Sequence, residues 1–322
     1  MKRTFKTAVF TFLFALFLPL QARAEELLIP GGQLIGLELS DDSVTVAAYD
    51  DTFGTAARES GLKIGDEILE IDGMPIDCAQ DVRAALNRCD GPLKILVRRG
   101  GKHQTLQLAP QSTADGPRLG IFLRQGIAGI GTVTFFDPDT HRFGTLGHGV
   151  SDAKGVLLNM RQGNAYSAKI ISVQKGTCGT PGQLKGSTAS PQAIGTLLKN
   201  TPQGVFGTTT QDWKGTPIPA ASWEDLRTGP ATIRSTVSGD TVREYSVEIL
   251  KIYPKDRSDC RNLLLKVTDP DLLAATGGIV QGMSGSPIIQ DGKIVGAVTH
   301  VLVNDPTRGY GIYIENMLDA AG

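Results

Sequence analysis

Residues 277–300 have the sequence GGIVQGMSGSPIIQDGKIVGAVTH, in which Ser284 lies between glycines immediately before a predicted strand. Gly282 has no side chain that would block an approaching group, and in such a turn the amides of Gly282 and Ser284 can converge on one point. Two converging amides are what an oxyanion hole requires. This stretch therefore predicts a nucleophilic serine at the edge of a β domain.

A serine hydroxyl needs a base, and histidine is the usual base near neutral pH. Of the four histidines, His103 lies in a predicted hairpin and His141 in a polar turn, which is typical of surface residues. His148 follows a strand in GTLGHGV and is the candidate base. His300, on the predicted strand after Ser284, is the alternative base, or else a core residue with satisfied hydrogen bonds.

The chain on both sides of this stretch is rich in short apolar runs separated by glycine and proline. From Arg118 to residue 322 such runs alternate with turns and helical patterns are scarce, which predicts a mainly β barrel or sandwich domain over residues 118–322. Residues 111–117, QSTADGP, are predicted to be a linker because they are turn formers.

Residues 29–110 form a second predicted module, an α+β unit in which strands alternate with one or two short helices. Its segment SGLKIGDEILEIDGMPI resembles the hallmark of PDZ domains. By that resemblance, Leu34, Ile35, Gly36 and Leu37 form a carboxylate-binding loop, and a peptide adds a strand there facing Val82 and Leu86 on a helix. The alternative is that these apolar residues simply fill the module's core.

The amino terminus has the pattern of an export signal. Lys2, Arg3 and Lys6 precede an apolar run over residues 8–20, and Ala22-Arg23-Ala24 follows, so residues 1–24 are predicted to be a signal peptide. Without residues 1–24 the chain has 28 basic and 33 acidic side chains, a formal charge of −5. A mildly acidic chain lacks the basic excess of a nucleic-acid-binding protein.

The four cysteines leave the disulfide pattern open. Cys78 and Cys89 flank a predicted helix, and eleven residues of helix span about 16 Å, too far for a bridge between them. A bridge between Cys178 and Cys260 is one interpretation, and free thiols are the other.

Two resemblances connect these patterns. GMSGSP resembles the GDSGGP nucleophile loop of chymotrypsin-like serine peptidases, which are double β-barrels. The chain from residue 29 onward resembles the SpoIVB peptidases, exported PDZ-containing serine peptidases that signal in sporulation, in IPGGQLIGL, FGTLGHGVSD, KGTCGTPG, VTDPDLL and GGIVQGMSGSP.

The SpoIVB resemblance implies that Ser284 is the nucleophile, His148 the general base and Asp269 the acid that orients it. The order of residues in ordinary chymotrypsin-like enzymes would favour Asp212 instead. A further reading is that Asp269 is only a turn or cap residue before Pro270.

The SpoIVB resemblance also implies a function. The enzyme would act between the mother-cell and forespore membranes, peripheral to the membrane, and would cleave itself and a membrane-embedded regulatory complex. That cleavage would activate an intramembrane protease and a late sigma factor. No metal or cofactor is implied, since no metal-binding motif occurs. The alternatives are a secreted, non-catalytic PDZ adaptor and a general extracytoplasmic quality-control protease.

Overall fold

The computed structural model describes residues 26–322 apart from 115, 153 and 154. The predicted signal peptide lies outside the described residues. The strands are β1 (Leu27–Pro30), β2 (Leu34–Tyr49), β3 (Glu67–Ile71), β4 (Met74–Pro75), β5 (Leu93–Arg99), β6 (Lys102–Leu108), β7 (Gln111–Thr113), β8 (Gly116–Arg118), β9 (Ile121–Phe136), β10 (Arg142–Thr145), β11 (Gln162–Gln174), β12 (Gln183–Thr201), β13 (Gly204–Thr209), β14 (Ile218–Pro219), β15 (Gly229–Thr236), β16 (Val242–Ile252), β17 (Leu263–Val267), β18 (Pro287–Gln290), β19 (Lys293–Leu302) and β20 (Asp305–Tyr313). The helices are α1 (Thr55–Glu59), α2 (Ala79–Leu86), α3 (Pro270–Thr276) and α4 (Ile314–Ala321), with a 3-10 turn at Trp223–Asp225.

Two six-stranded barrels form the larger part of the chain. In the first, pairing runs β9-β10-β13-β12-β11-β2 and closes because β2 also pairs with β9. The second is the closed barrel β15-β16-β17-β20-β19-β18. Every pairing within both barrels is antiparallel. The prediction of a mainly β double barrel is confirmed.

The interiors of the barrels follow the alternation of their strands. Ile35, Leu37, Val133 and Val205 are at most 4% exposed and pack together inside the first barrel. The second barrel is filled by a separate group of apolar side chains: Ile233, Val247, Leu265, Ile288 and Val298. Helix α4 packs over the junction, where Met317 is fully buried with residues of both barrels.

The PDZ module is built on the second half of β2 and the first half of β9, two long strands whose other halves belong to the first barrel. Val44 to Tyr49 of β2 pair with Ile121 to Gln125 of β9, and β3, β5 and β6 extend that sheet. The register of β2 and β9 shifts between Leu39 and Val44, where the chain passes from the barrel into the module. The PDZ module is therefore continuous with two strands of the barrel wall and does not precede the barrel as a separate unit.

The strand β2 differs from the sequence prediction. LIGLEL and SVTVAAYD were expected to be two strands of one module, but they form one continuous strand. The first half belongs to the barrel and the second to the PDZ module. Residues 111–117, expected to be a linker, include β7 and part of β8, which pair as a hairpin. The polar residues 40–43, SDDS, lie at a register shift within one strand. The pattern of apolar and polar residues cannot distinguish such a shift from a turn.

The predicted helix after Cys78 is present as α2. Asp81 accepts a hydrogen bond from the Cys78 amide at 2.9 Å and so closes the amino-terminal turn, while Val82 and Leu86 face the PDZ core. All four cysteines are free. The interpretation of a Cys178–Cys260 bridge is therefore wrong: Cys178 is exposed and hydrogen-bonded to the Asn304 carbonyl, whereas Cys260 is buried.

None of the helices in the described ranges is both long enough and apolar enough to cross a membrane.

Candidate active site

Ser284 lies in a tight turn just before β18, and this turn is held by the first barrel. The Thr132 amide of β9 donates to the Ser284 carbonyl at 2.9 Å, and the Thr132 hydroxyl donates to the Gly282 carbonyl at 2.8 Å. Met283, which takes the place of aspartate in GDSGGP, is fully buried in the second barrel's core. The turn is thus fixed from both barrels, and the serine lies where they meet.

Two glycines make this turn possible. Gly282 and Gly285 have φ angles of +98° and +96°, which favour glycine. A Cβ atom on Gly285 would lie 2.0 Å from the Thr132 carbonyl oxygen and 2.5 Å from the Leu146 amide nitrogen. The turn therefore presses directly against the segment that leads to His148.

The amides of the turn divide into two groups. Those of Met283 and Gly285 donate to the carbonyls of Val280 and Val298. Those of Gly282 and Ser284 donate to no acceptor in the part of the chain that the structure describes. They are the two amides that the sequence predicts for an oxyanion hole, and both are available to donate to an oxyanion.

His148 follows β10 and hydrogen-bonds through Nδ1 to the carbonyl of Gly149 at 2.9 Å. A carbonyl oxygen only accepts, so Nδ1 carries the proton in the neutral ring and Nε2 has a free lone pair. Burial lowers the pKa of His148 below its ordinary value, only partly opposed by the hydrogen bond to Gly149. At neutral pH the ring is therefore an unprotonated base with Nε2 as its basic atom.

His300 of β19 lies beside His148, with 5.2 Å between the ring centroids. Burial, and secondly the neighbouring His148, lower the pKa of His300 to about 4, so it too is neutral at pH 7. Its Nδ1 atom is buried and has no hydrogen-bond partner among the described residues.

One cavity of about 450 Å³ between the barrels contains Ser284, Gly282, His148 and His300. The Ser284 hydroxyl donates to the carbonyl of Thr299 on β19 at 2.8 Å and is therefore not hydrogen-bonded to the base. The wall also contains the polar residues Ser151, Gln281 and Thr299. Its apolar side chains come from both barrels: Leu37, Leu39, Ile127, Ile130, Leu146, Val150, Ile279, Val280 and Val301.

Asp269 does not join this cavity, which corrects its expected role as the acid that orients His148. It is the N-cap residue of α3: its carboxylate accepts from the amides of Leu272 at 3.0 Å and Ser246 at 3.2 Å. No hydrogen bond between Asp269 and His148 occurs in the described residues. Asp212, the other candidate, is exposed and does not line the cavity.

We expect Asp269→Ala to lower the free energy of unfolding by about 0.5–2 kcal/mol, because the helix loses its N-cap. Asp269→Asn should be close to wild type, since asparagine caps equally well. Turnover per folded molecule should be retained in both variants. Urea melts beside peptide turnover test this, and a stable Asp269→Asn protein with a 10⁴-fold loss of turnover would restore the orienting role.

The predicted carboxylate-binding loop, residues 34–37, lies in the barrel wall instead of in the PDZ module. Gly36 is opposite Tyr166 of β11 on one side and Ile130 of β9 on the other, so this part of β2 has no free edge for a peptide. Leu34, Ile35 and Leu37 are likewise buried in the barrel wall. Peptide binding at residues 34–37 is therefore excluded by strand pairing.

Val82 and Leu86 line a different groove, of about 580 Å³, between α2 and residues 117–123. Here the first half of β9 pairs with β2 along one edge, and no strand in the described ranges pairs with the other. In the sequence, the apolar-glycine-apolar triplet Leu119-Gly120-Ile121 leads into this strand, although residue 118 was expected to begin the second domain.

Comparison with solved structures gives a distant likeness. Crystal structures of the Rv3671c protease from M. tuberculosis in its inactive and active forms have 15% sequence identity to this chain and TM-scores of 0.36 and 0.38. They cover 60% and 61% of this chain, and 84% and 75% of their own chains.

Two curated relatives are named as zinc metalloproteases. The one from Rhizobium meliloti (strain 1021) is 34% identical over 100 residues, and the one from Agrobacterium fabrum (strain C58) is 34% identical over 79 residues. These matches cover 31% and 24% of this chain, which spans only 26% and 21% of the relatives' lengths. Among the described residues, no group of three or more His, Cys, Asp or Glu side chains is placed to hold a metal.

Family models match almost the whole of the described chain. A PDZ domain model matches residues 33–109, and the model of SpoIVB peptidase S55 matches residues 115–318, which is more than half of the chain. The second match contains both His148 and Ser284. The chain belongs to the SpoIVB peptidase S55 family and carries a PDZ domain.

Proposed function

We propose that this protein is a serine endopeptidase in which Ser284 is the nucleophile and His148 the general base. One observation carries the proposal: a single cavity holds a serine, a neutral imidazole with Nε2 unprotonated, and two amides that have no other acceptor in the described chain. A nucleophile, a base and oxyanion donors that meet in one cavity are the geometry that acyl transfer requires.

In the proposed reaction, the Ser284 hydroxyl changes its hydrogen-bond acceptor before the new bond forms. The Ser284 hydroxyl leaves the Thr299 carbonyl and donates to His148 Nε2. Its oxygen then attacks the substrate carbonyl carbon while the proton moves to Nε2, and the amides of Gly282 and Ser284 bind the resulting oxyanion. The imidazolium returns the proton to the leaving amine as the C–N bond breaks, and water hydrolyses the acyl-enzyme by the same steps.

The apolar side chains in the cavity wall favour an apolar substrate side chain next to the scissile bond. Leu37, Ile130 and Val280 offer carbon surface, and both histidines are uncharged at neutral pH. Burying one leucine-sized side chain contributes about 1.5–3 kcal/mol to binding.

The PDZ groove supplies a second contact with a protein substrate. An extended segment can add a strand to the unpaired edge of residues 121–125 and place side chains against Val82 and Leu86 of α2. Phe122 lines this groove and is 56% exposed, so it is available to a ligand.

We expect Phe122→Asp to raise KM for a protein substrate about tenfold or more and to leave turnover of short peptides unchanged, because the groove lies outside the catalytic cavity. Ile64→Asp is the matched control: Ile64 is 59% exposed on the same module and does not line the groove. Progress curves with both substrate types give the answer. Equal effects of the two substitutions would remove the groove from substrate binding.

The biological setting is part of the same proposal. The signal-peptide pattern of residues 1–24 supports export, and the family match supports a signalling role in sporulation, with cleavage of the enzyme itself and of a membrane-embedded regulatory complex. The site of action would then be the space between the mother-cell and forespore membranes.

The rival functions differ in what they cleave. A quality-control protease degrades unfolded casein to many small fragments, whereas a signalling peptidase cuts itself and folded targets at a few sites. A PDZ adaptor cleaves nothing. Mass spectrometry of the purified chain, alone and with casein, beside its Ser284→Ala variant therefore separates the three.

A further inference from the structure

Asn200, at the end of β12, makes three side-chain hydrogen bonds next to the catalytic cavity. Its Oδ1 accepts from the Val150 amide at 2.9 Å. Its Nδ2 donates to the carbonyls of Val150 at 2.9 Å and Leu158 at 2.8 Å. The amide group thereby ties the loop after His148 to the end of a barrel strand.

The contacts of Asn200 and His148 meet on one peptide group. The Gly149 carbonyl, which receives the His148 Nδ1 proton, and the Val150 amide, which donates to Asn200, are the two ends of the same peptide bond. That group is planar, so fixing its N–H end also fixes the direction of its C=O end. An amide whose N–H is hydrogen-bonded is polarised and becomes a better acceptor at its oxygen.

Packing holds the same peptide group in place. A Cβ atom on Gly149 would lie 2.3 Å from Leu157 Cδ1 and 2.7 Å from the Thr201 carbonyl oxygen. Gly149 therefore packs directly against Leu157 and the end of β12.

We propose that Asn200 is a positioning residue for His148, acting through the Gly149–Val150 peptide group in the place that a carboxylate takes in other serine peptidases. This inference rests on the proposed peptidase function. The chain His148 Nδ1, Gly149 carbonyl, Val150 amide, Asn200 Oδ1 is neutral throughout. It fixes the tautomer and the ring plane, and the Gly149 carbonyl binds the imidazolium more strongly once that ion forms.

Because Asn200 is neutral, it places no negative charge near His148, whereas a carboxylate would. Burial and the hydrogen bond to the Gly149 carbonyl are the causes that shift the pKa of His148, and the titratable ring of His300 on β19 lies beside it. Placing a carboxylate at position 200 introduces a negative charge at the far end of the peptide group, which favours protonated His148.

The test compares Asn200→Ala and Asn200→Asp with wild type. Asn200→Ala should lower kcat 10²- to 10³-fold with KM changed less than threefold, because the tautomer and ring plane are no longer fixed. Asn200→Asp keeps the bond from the Val150 amide but loses both donations. We expect it to move the acidic limb of the pH–kcat profile to higher pH than in wild type, where burial holds the pKa of His148 below its ordinary value.

Asn262 provides the matched control. It is fully buried, and its amide clamps a loop of the second barrel through the carbonyls of Pro254 and Lys255, without lining the cavity. Asn262→Ala should lower the melting temperature and leave kcat and the pH profile of the folded fraction as in wild type. A merely structural role of Asn200 would give the same result as this control, and would overturn the inference.

A measurement on the wild-type protein keeps the inference testable if the Asn200 variants do not fold. Nitrogen-15 NMR of the imidazoles at pH 7 should show the Nδ1–H tautomer for His148, with a proton that exchanges slowly with water. A dominant Nε2–H tautomer would contradict the inference. Failure of the peptidase function is a separate outcome, because it would appear as unchanged turnover in Ser284→Ala.

Discussion

Replacing Ser284 or His148 by alanine is expected to lower peptide turnover by about 10⁶-fold, because each change removes one half of the proton transfer that creates the nucleophile. The double variant should be no worse than either single one, since the two residues act as a unit. If the enzyme cleaves itself as proposed, the self-cleavage fragments should disappear with turnover. The measurement is a fluorogenic peptide assay beside intact-mass analysis.

Both substitutions should preserve the fold. Ser284 and His148 are half-buried and line the cavity instead of filling a barrel core. His103→Ala, on the exposed face of the PDZ hairpin, is the matched control with normal activity. Normal turnover in both site variants would exclude the peptidase assignment. Loss in Ser284→Ala alone would transfer the role of base to His300, whose ring lies 5.2 Å from that of His148.

The second large effect is expected from Gly285→Ala. The new methyl group would lie 2.0 Å from the Thr132 carbonyl oxygen, and φ of +96° is strained for alanine. The turn must then move away from β9, taking Ser284 with it. A displacement near 1 Å costs about 10² in rate, and the strained backbone costs about 1–3 kcal/mol of stability.

Gly292→Ala separates these two causes. Gly292 has φ of +77° in the turn between β18 and β19, and a Cβ atom there meets nothing within 4 Å. It should lose stability but not turnover per folded molecule. If Gly285→Ala behaved like Gly292→Ala, the contact between the turn and β9 would have no part in placing the nucleophile.

The candidate nucleophile and base could be located from the sequence because each is marked by its neighbours along the chain. A serine between glycines and a histidine after a strand are local patterns, and the structure brings both to one cavity. The β character of the barrels and the helix after Cys78 are also local, since they follow from alternation and from apolar spacing.

What the sequence did not predict depends on long-range contacts. The break between LIGLEL and SVTVAAYD resembles a turn, and only pairing with β9 reveals that the strand continues. The sequence around Asp269 is compatible with both a helix N-cap and a catalytic acid. The position of α3 shows that Asp269 is the N-cap. Asn200 is separated from His148 by more than fifty residues, and no local pattern marks it.

Covalent labelling with a fluorophosphonate tests most directly whether Ser284 is a nucleophile activated by His148. Intact-mass analysis and peptide mapping should find one phosphonyl group per chain, attached to Ser284. His148→Ala should label far more slowly, and Ser284→Ala not at all. A chain that cleaves peptides while Ser284 remains unmodified, or that carries the label on another residue, would contradict the account.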